Sequence, residues 1–358
     1  MRQHKSMVLL TLLAGLAPAC REDAPDATGP SPASGSQAVA AAAVTYTVKS
    51  LGTLGGHQSV AYDINNVGQT VGTSTTSAGK FHAFIHQAGA MKDLGALSGG
   101  TSEANAINDA GVVVGYSTLL SGAERAVRWQ NGNKMSLGTL GGRNSRATDI
   151  NEDGVIVGWS NTRSGETHAF VYQNGVMKDI GTLGGKFSFA FGINKAGKVV
   201  GSSTTTSAAS SKDHAFAWVN GRMQDLGNGG TLFGEATAIN SGRIVGNFGP
   251  PPDAEGGELE FQQPFIYAAG VFTRIATRQI SSNAKDVNKD GIVVGFDEDE
   301  RSETRTPDAW VRQSNGTLQY LPELTVGAAS AEGINSFGTI VGHSETADGL
   351  RAVIWRPQ

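Results

Sequence analysis

An asparagine that follows Ile or Val and precedes a glycine-bearing turn recurs at positions 65, 108, 151, 194, 240, 288 and 335, at spacings of 43, 43, 43, 46, 48 and 47 residues. No other feature restricts the fold so strongly, because a period of this length sustained over most of a chain marks a repeat architecture. Around each asparagine the unit reads S-x-A-x-x-I-N, x-x-G, x-V-V-G-x-S, a variable stretch, H-A-F-x-W, x-x-G and x-M-x-D-L-G. Four short apolar segments separated by turn signals predict four strands per unit. No segment carries a competing helical period. Turns such as INNVGQTVG and INEDGVIVG, and the QNG at residues 130 and 173, place Asn or Asp and then Gly where hairpins need positive backbone angles. The many turns account for 49 glycines, about twice the usual share of ~7%.

The HAF triplets at 82–84, 168–170 and 214–216, with LGTLGG at 51–56 and 137–142 and IGTLGG at 180–185, carry a resemblance to the HAF-type extracellular repeat family of exported bacterial proteins. It covers residues 45–358, strongly in units one to four and loosely in five to seven. The resemblance implies a repeat protein at the cell surface and supplies no catalytic residues. LGTLGG is not followed by a helix, as a phosphate loop would be, and reads as the crossover between successive units.

Units of about 45 residues with four strands predict an all-β, seven-bladed β-propeller with one four-stranded sheet per blade, ahead of an open solenoid. The last unit ends after its third strand, in AVIWRPQ, while an orphan strand, TYTVKSLG, precedes the first complete unit. Together they predict an N-terminal strand that completes the last blade and hides an edge. The third position of each first strand is alanine throughout: Ala61, Ala104, Ala147, Ala190, Ala236, Ala284 and Ala331. That pattern predicts the first strand innermost, where room is least, with Phe84, Phe170, Phe216, Phe265 and Trp310 filling the wider space between sheets.

The first twenty residues, MRQHKSMVLLTLLAGLAPAC, have the layout of a secretory signal: two basic residues, an apolar run too short to span a membrane, then small residues. LAPAC resembles the lipobox of bacterial lipoproteins, with Leu16 one place further from the cysteine than is usual there. The expected organisation is a signal peptide over residues 1–19, a flexible tether over 20–43 lipidated at Cys20, and the repeat domain over 44–358. Cleavage after Ala19 without lipidation is the alternative, and it would leave a lone thiol on an exported chain. A formal charge of −4, a pI near 6.0 and the lack of basic clusters argue against a nucleic-acid partner.

Function is expected on the face carrying the crossover loops and the second-to-third strand loops. The distance from the second-strand glycine to the third-strand core residue is 12 in units one to three and 15, 19 and 15 in units four to six. Long loops on a rigid scaffold are where binding usually resides. His57, Glu103, Arg143, Lys186 and Glu235 are candidate ligand-binding residues around a channel mouth. Asp253, Glu255, Glu258, Phe261, Asp297, Asp299 and Arg301 are candidates for an acidic lip. The expected function is a monomeric, non-enzymatic module that binds an extracellular or envelope protein or glycan, needs no cofactor and meets the membrane only through its lipid. The alternative is a polysaccharide-acting enzyme using Glu103, Glu235 and His57. His82, His168 and His214 repeat in separate units and read as rim hydrogen bonders, not metal ligands. The half calcium-loop matches at Asp149 and Asp286 read as plain hairpins.

Overall fold

The computed structural model describes residues 44–205, 212–250, 262–279, 281–298, 307–325 and 327–358. The expectations for the signal, Cys20 and the tether fall outside these residues, as do Asp253, Glu255, Glu258, Phe261, Asp299 and Arg301. Residues Val44–Gln358 form one compact unit. Its described residues hold strands β1–β28 in chain order and no helix.

Each repeat unit lays its strands side by side as an antiparallel meander. The first comprises β2 (Gly55–Ile64), β3 (Thr70–Thr76), β4 (Phe81–Gln87) and β5 (Ala90–Asp93). The same order holds in β6 (Ser102–Ile107), β7 (Val113–Thr118), β8 (Glu124–Gln130) and β9 (Asn133–Gly138), and in β18 (Gly234–Asn240), β19 (Arg243–Phe248), β20 (Gln263–Ala268) and β21 (Val271–Arg274). It holds again in β22 (Ser281–Val287), β23 (Val293–Glu298), β24 (Asp308–Arg312) and β25 (Leu318–Tyr320). The last unit is β26 (Ala329–Ile334), β27 (Ile340–Thr346) and β28 (Gly349–Pro357), with β1 (Tyr46–Gly52) as its fourth strand. In that pairing Tyr46 lies opposite Pro357 and Val48 opposite Trp355.

The count of seven independent blades is corrected. The hydrogen-bonded sheets comprise five four-stranded blades and one continuous sheet of eight strands. That wide sheet holds the third and fourth repeat units: β10 (Gly141–Ile150), β11 (Ile156–Thr162), β12 (Thr167–Gln173) and β13 (Val176–Asp179), then β14 (Gly184–Ile193), β15 (Val199–Thr205), β16 (Asp213–Val219) and β17 (Arg222–Gly227). The join is a parallel pairing of β12 with β14 at Thr167 and Phe187. A repeat period does not encode such a contact, because it links two units through backbone that both already possess.

The repeat motif has a packing explanation. The second-strand glycine stands opposite the third-strand aromatic: Gly72 with Phe84, Gly158 with Phe170, Gly246 with Phe265 and Gly295 with Trp310. These aromatics are fully buried, and each buried ring stabilises the fold by about 1.5–3 kcal/mol. A Cβ at Gly246 would lie 2.0 Å from the Glu235 carbonyl oxygen and 2.7 Å from the Phe265 ring. The seven first-strand alanines are fully buried. They sit within the core clusters between neighbouring sheets, as Ala147 does between Val114 and Phe170.

The recurring asparagine closes the hairpin and also joins the units. Asn65 Oδ1 accepts the Gln69 backbone N–H at 2.8 Å, while its Nδ2 donates to the Asn108 carbonyl of the next unit at 3.0 Å. The relay continues from Asn108 to Asn151 and from Asn151 to Asn194, then from Asn288 to Asn335 and from Asn335 back to Asn65, each at 3.2 Å. An aspartate would lack the donor, so the amide is required for chemistry, not only for turn propensity. The QNG turns do use left-handed backbone, with φ of 51° at Asn131 and 52° at Asn174.

Candidate functional site

Two backbone features set apart the polar and aromatic side chains of the first strands. Residues following the second-strand glycine pair with the first strand: Glu103 opposite Tyr116, Arg146 opposite Trp159, Phe189 opposite Ser202, Glu235 opposite Asn247 and Ser330 opposite His343. Immediately beyond, the register slips by one residue in every first strand, between Ala61 and Asp63 and between Ala190 and Gly192, for example. Such a bulge leaves one residue outside the ladder and re-aims its side chain. The displaced residues are Tyr62, Asn105, Thr148, Phe191, Thr237, Lys285 and Glu332.

The first four units form one network from these positions. Burial raises the Glu103 carboxyl above the ordinary range, while Arg146 and the nearby Tyr62 and Tyr116 hydroxyls pull the other way. Burial and the Glu103 charge push the Tyr116 hydroxyl up to about 12, and the same causes raise Tyr62 further. Arg146 forks onto Glu124 through Nε and Nη2, and its guanidinium lies 3.9 Å over the Tyr116 ring and 5.6 Å from that of Trp159. Trp159 meets Phe189 edge to face at 5.9 Å. Tyr62, Tyr116, Trp159, Phe189 and Phe191 are all half-buried, so the cluster is in part accessible to a ligand.

The last three units form a charged counterpart. Lys285 Nζ is 3.4 Å from Glu332, which also accepts the Ser330 hydroxyl at 2.6 Å and lies 4.0 Å from His343 Nδ1. Burial alone would raise Glu332, but Lys285, Ser330 and His343 hold it below its ordinary value. Burial lowers His343. Asn247 donates to Glu235 at 3.1 Å, and burial raises the Glu235 carboxyl.

Just past the bulge, toward the asparagine hairpins, stand Asp63, Asp149 and Asp286. Each bridges two units: Asp149 accepts the Ile150 N–H and the Ile193 N–H, both at 2.7 Å, and Asp63 and Asp286 repeat the pattern toward Ile107 and Ile334. Burial raises Asp63 to about 6, Asp149 to about 8 and Asp286 to about 7, with mutual repulsion adding to the last two. A carboxyl raised on folding binds its proton more tightly in the folded state. Its stabilising effect is therefore greatest at the acid end and is lost as pH climbs from about 4 to about 8. The melting temperature is expected to fall between pH 5 and pH 8, and the slope to be shallower in Asp149→Asn; equal slopes would show that these groups do not govern it.

The sequence-predicted residues divide. Glu103 and Glu235 lie on separate first strands and belong to separate networks, so the structure does not join them with His57 as one acid/base set. His57, Arg143 and Lys186 are exposed. Asp297, expected on an open lip, is instead fully buried in β23 and takes the Tyr320 hydroxyl proton donor onto Oδ2. Strand pairing with Ser282 and Asp308 continues through this position and turns its side chain inward. His82, His168 and His214 each pair with an aspartate eleven residues on, Asp93, Asp179 and Asp225, at 2.7–2.9 Å. Those aspartates also cap Gly95, Gly181 and Gly227. Among the described residues no group of three or more His, Cys, Asp or Glu is placed to hold a metal ion. Sequence reasoning missed Tyr62, Tyr116, Arg146, Trp159, Phe189 and Phe191. The residue after each second-strand glycine was a usable signal; the bulge was not.

A family described as a protein of unknown function, DUF3466, matches residues 143–320. No curated protein matches the chain. Among solved structures, the β-propeller domain of the trilobed protease from Pyrococcus furiosus is similar with a TM-score of 0.57 at 15% identity, covering 85% of this chain and 95% of that one. Acylaminoacyl peptidase from Pyrococcus horikoshii gives 0.54 at 14% identity over 83% and 51%, and a puromycin-hydrolysing peptidase of Mycobacterium tuberculosis gives 0.53 at 10% over 85% and 52%. The chain thus spans about half the length of either peptidase. At these identities the likeness is one of fold, and the fold is a β-propeller.

Proposed function

We propose that this chain is an exported, non-enzymatic binding module, tethered to the bacterial envelope by a lipid on Cys20, that engages an envelope or extracellular glycan or protein through the crossover face of its propeller. The ligand seats at the channel mouth. The observation that carries this reading is the contiguous, half-buried cluster of Tyr62, Tyr116, Trp159 and Phe189 with Glu103 and Arg146. Rings that are partly open to solvent beside fixed hydrogen-bonding groups are the usual make-up of a binding surface. The resemblance to HAF-type extracellular repeats and the signal-like first twenty residues support the address.

The test is capture from envelope and extracellular material by the full chain, comparing Trp159→Ala and the rim pair Arg143→Glu/Lys186→Glu with a change on the opposite face, Val67→Ser/Phe337→Ser. Capture should fall at least fivefold in the first two and be unchanged in the third. Loss confined to the third would move the binding face and sink the reading. For the anchor, Cys20→Ser should shift the protein from the membrane to the soluble fraction; an unchanged distribution would refute lipidation.

A further inference from the structure

Strand β14 carries Phe187, Phe189 and Phe191 at alternate positions, whereas the equivalent places in the preceding unit hold Asn144, Arg146 and Thr148. The repeat therefore does not demand these rings. Same-face side chains in a strand stand roughly 6.8 Å apart, and Phe189 and Phe191 keep that arrangement, with centroids 6.4 Å apart and planes within 5°. Phe187, at the rim, is 42% exposed. Beside them a pocket of about 290 Å³ is lined by Phe187, Phe189, Thr167, Ser202, Thr204 and Asp213, among others.

We infer that this aromatic run and its pocket form a subsite for uncharged pyranose rings of an oligosaccharide. The assignment rests on the crossover-face reading above and gives that surface its ligand class. A pyranose has an apolar C–H face and hydroxyl edges; the Phe187 and Phe189 rings match the first, and Ser202 and the Asp213 carboxylate the second. Among the described residues no Lys or Arg lines the pocket, so there a uronate or phosphate meets Asp213 without compensation. The Phe189 and Phe191 rings lie parallel and do not converge on a point, which suits an extended chain and not a compact cation. The platform is preorganised. The parallel pairing with Thr167 holds Phe187 from one side, and the Thr204 hydroxyl bonds its N–H at 2.9 Å and its carbonyl at 3.2 Å from the other. A ligand then meets a strand whose backbone is already fixed at Phe187.

The experiment is titration of the full chain with cello-, xylo- and chito-oligosaccharides, with polygalacturonate and choline as charged controls. Heat and Trp fluorescence are the readouts, since Trp159 contacts Phe189. At least one neutral series should bind, more tightly with each added ring up to about three. Phe187→Ala should weaken it about tenfold with no change in melting temperature, and Phe187→Trp should retain it. Binding of the charged controls alone, binding indifferent to Phe187→Ala, or no binding in any neutral series would overturn the assignment. Should the neutral series fail while capture of envelope protein still depends on Trp159, the saccharide subsite falls and the binding-module reading stands. Absence of both would remove the two together.

Discussion

A chain lacking residues 44–52 is expected to lose its single cooperative unfolding transition. Those residues supply all of β1, whose Tyr46 and Leu51 are buried and whose backbone pairs with β28 from Tyr46–Pro357 to Gly52–Ala352. Removing them uncovers Trp355 and Val353, both fully buried, and leaves an open sheet edge. Two large side chains lost from the core, at about 1.5–3 kcal/mol each, together with the unmet strand pairing, reach the scale of a whole domain's stability, about 5–15 kcal/mol. Thermal unfolding should show a melting temperature lower by at least 10 °C or no transition at all, with early proteolysis within β28. A synthetic peptide of residues 44–52 should restore part of the loss. A truncated chain that melts like the parent would show that the ring is held by other contacts.

The second large effect is expected from one methyl group. Gly246→Ala places a Cβ against the Glu235 carbonyl and the Phe265 ring. Backbone cannot yield there without parting β18 from β19, so the change should cost about 3 kcal/mol or more. Gly68→Ala is the control. Its φ of +83° disfavours a side chain, but nothing stands within 4 Å, so about 1 kcal/mol is expected. Paired denaturant titrations read the difference directly. Equal costs would mean that turn geometry, not inter-strand crowding, explains the glycine of the second strand.

The strand content, the turn positions and the pairing of the orphan strand with the last unit were legible because each is written in local chemistry. Alternation, Gly and Asn act within a few residues of one another, and the period repeats the message. The merging of two units into one wide sheet was not legible, since the Thr167–Phe187 bridge is a contact between backbones that no side-chain pattern announces. The site was half legible. Glu103 and Glu235 follow from the first-strand pattern, but a bulge in each of those strands leaves Tyr62, Phe191, Lys285 and Glu332 outside the ladder, which no side-chain pattern announces. Asp297 misled for the opposite reason: an acidic stretch reads as loop, whereas β23 extends to Glu298 and draws its carboxylate beneath Tyr320.

The asparagine relay is uneven around the axis. It runs through the first three units and across the closure from Asn335 to Asn65. Between Asn194 and Asn288 the spacing lengthens, and Asn240 instead turns its Oδ1 to Ser241 within a shorter hairpin. A belt with fewer stitches along one arc gives way there first. Under pulling force or mild denaturant, amide protons near Asn240 should exchange with solvent before those near Asn108, so that the propeller breathes along its fifth repeat while the seam where its two ends meet stays shut.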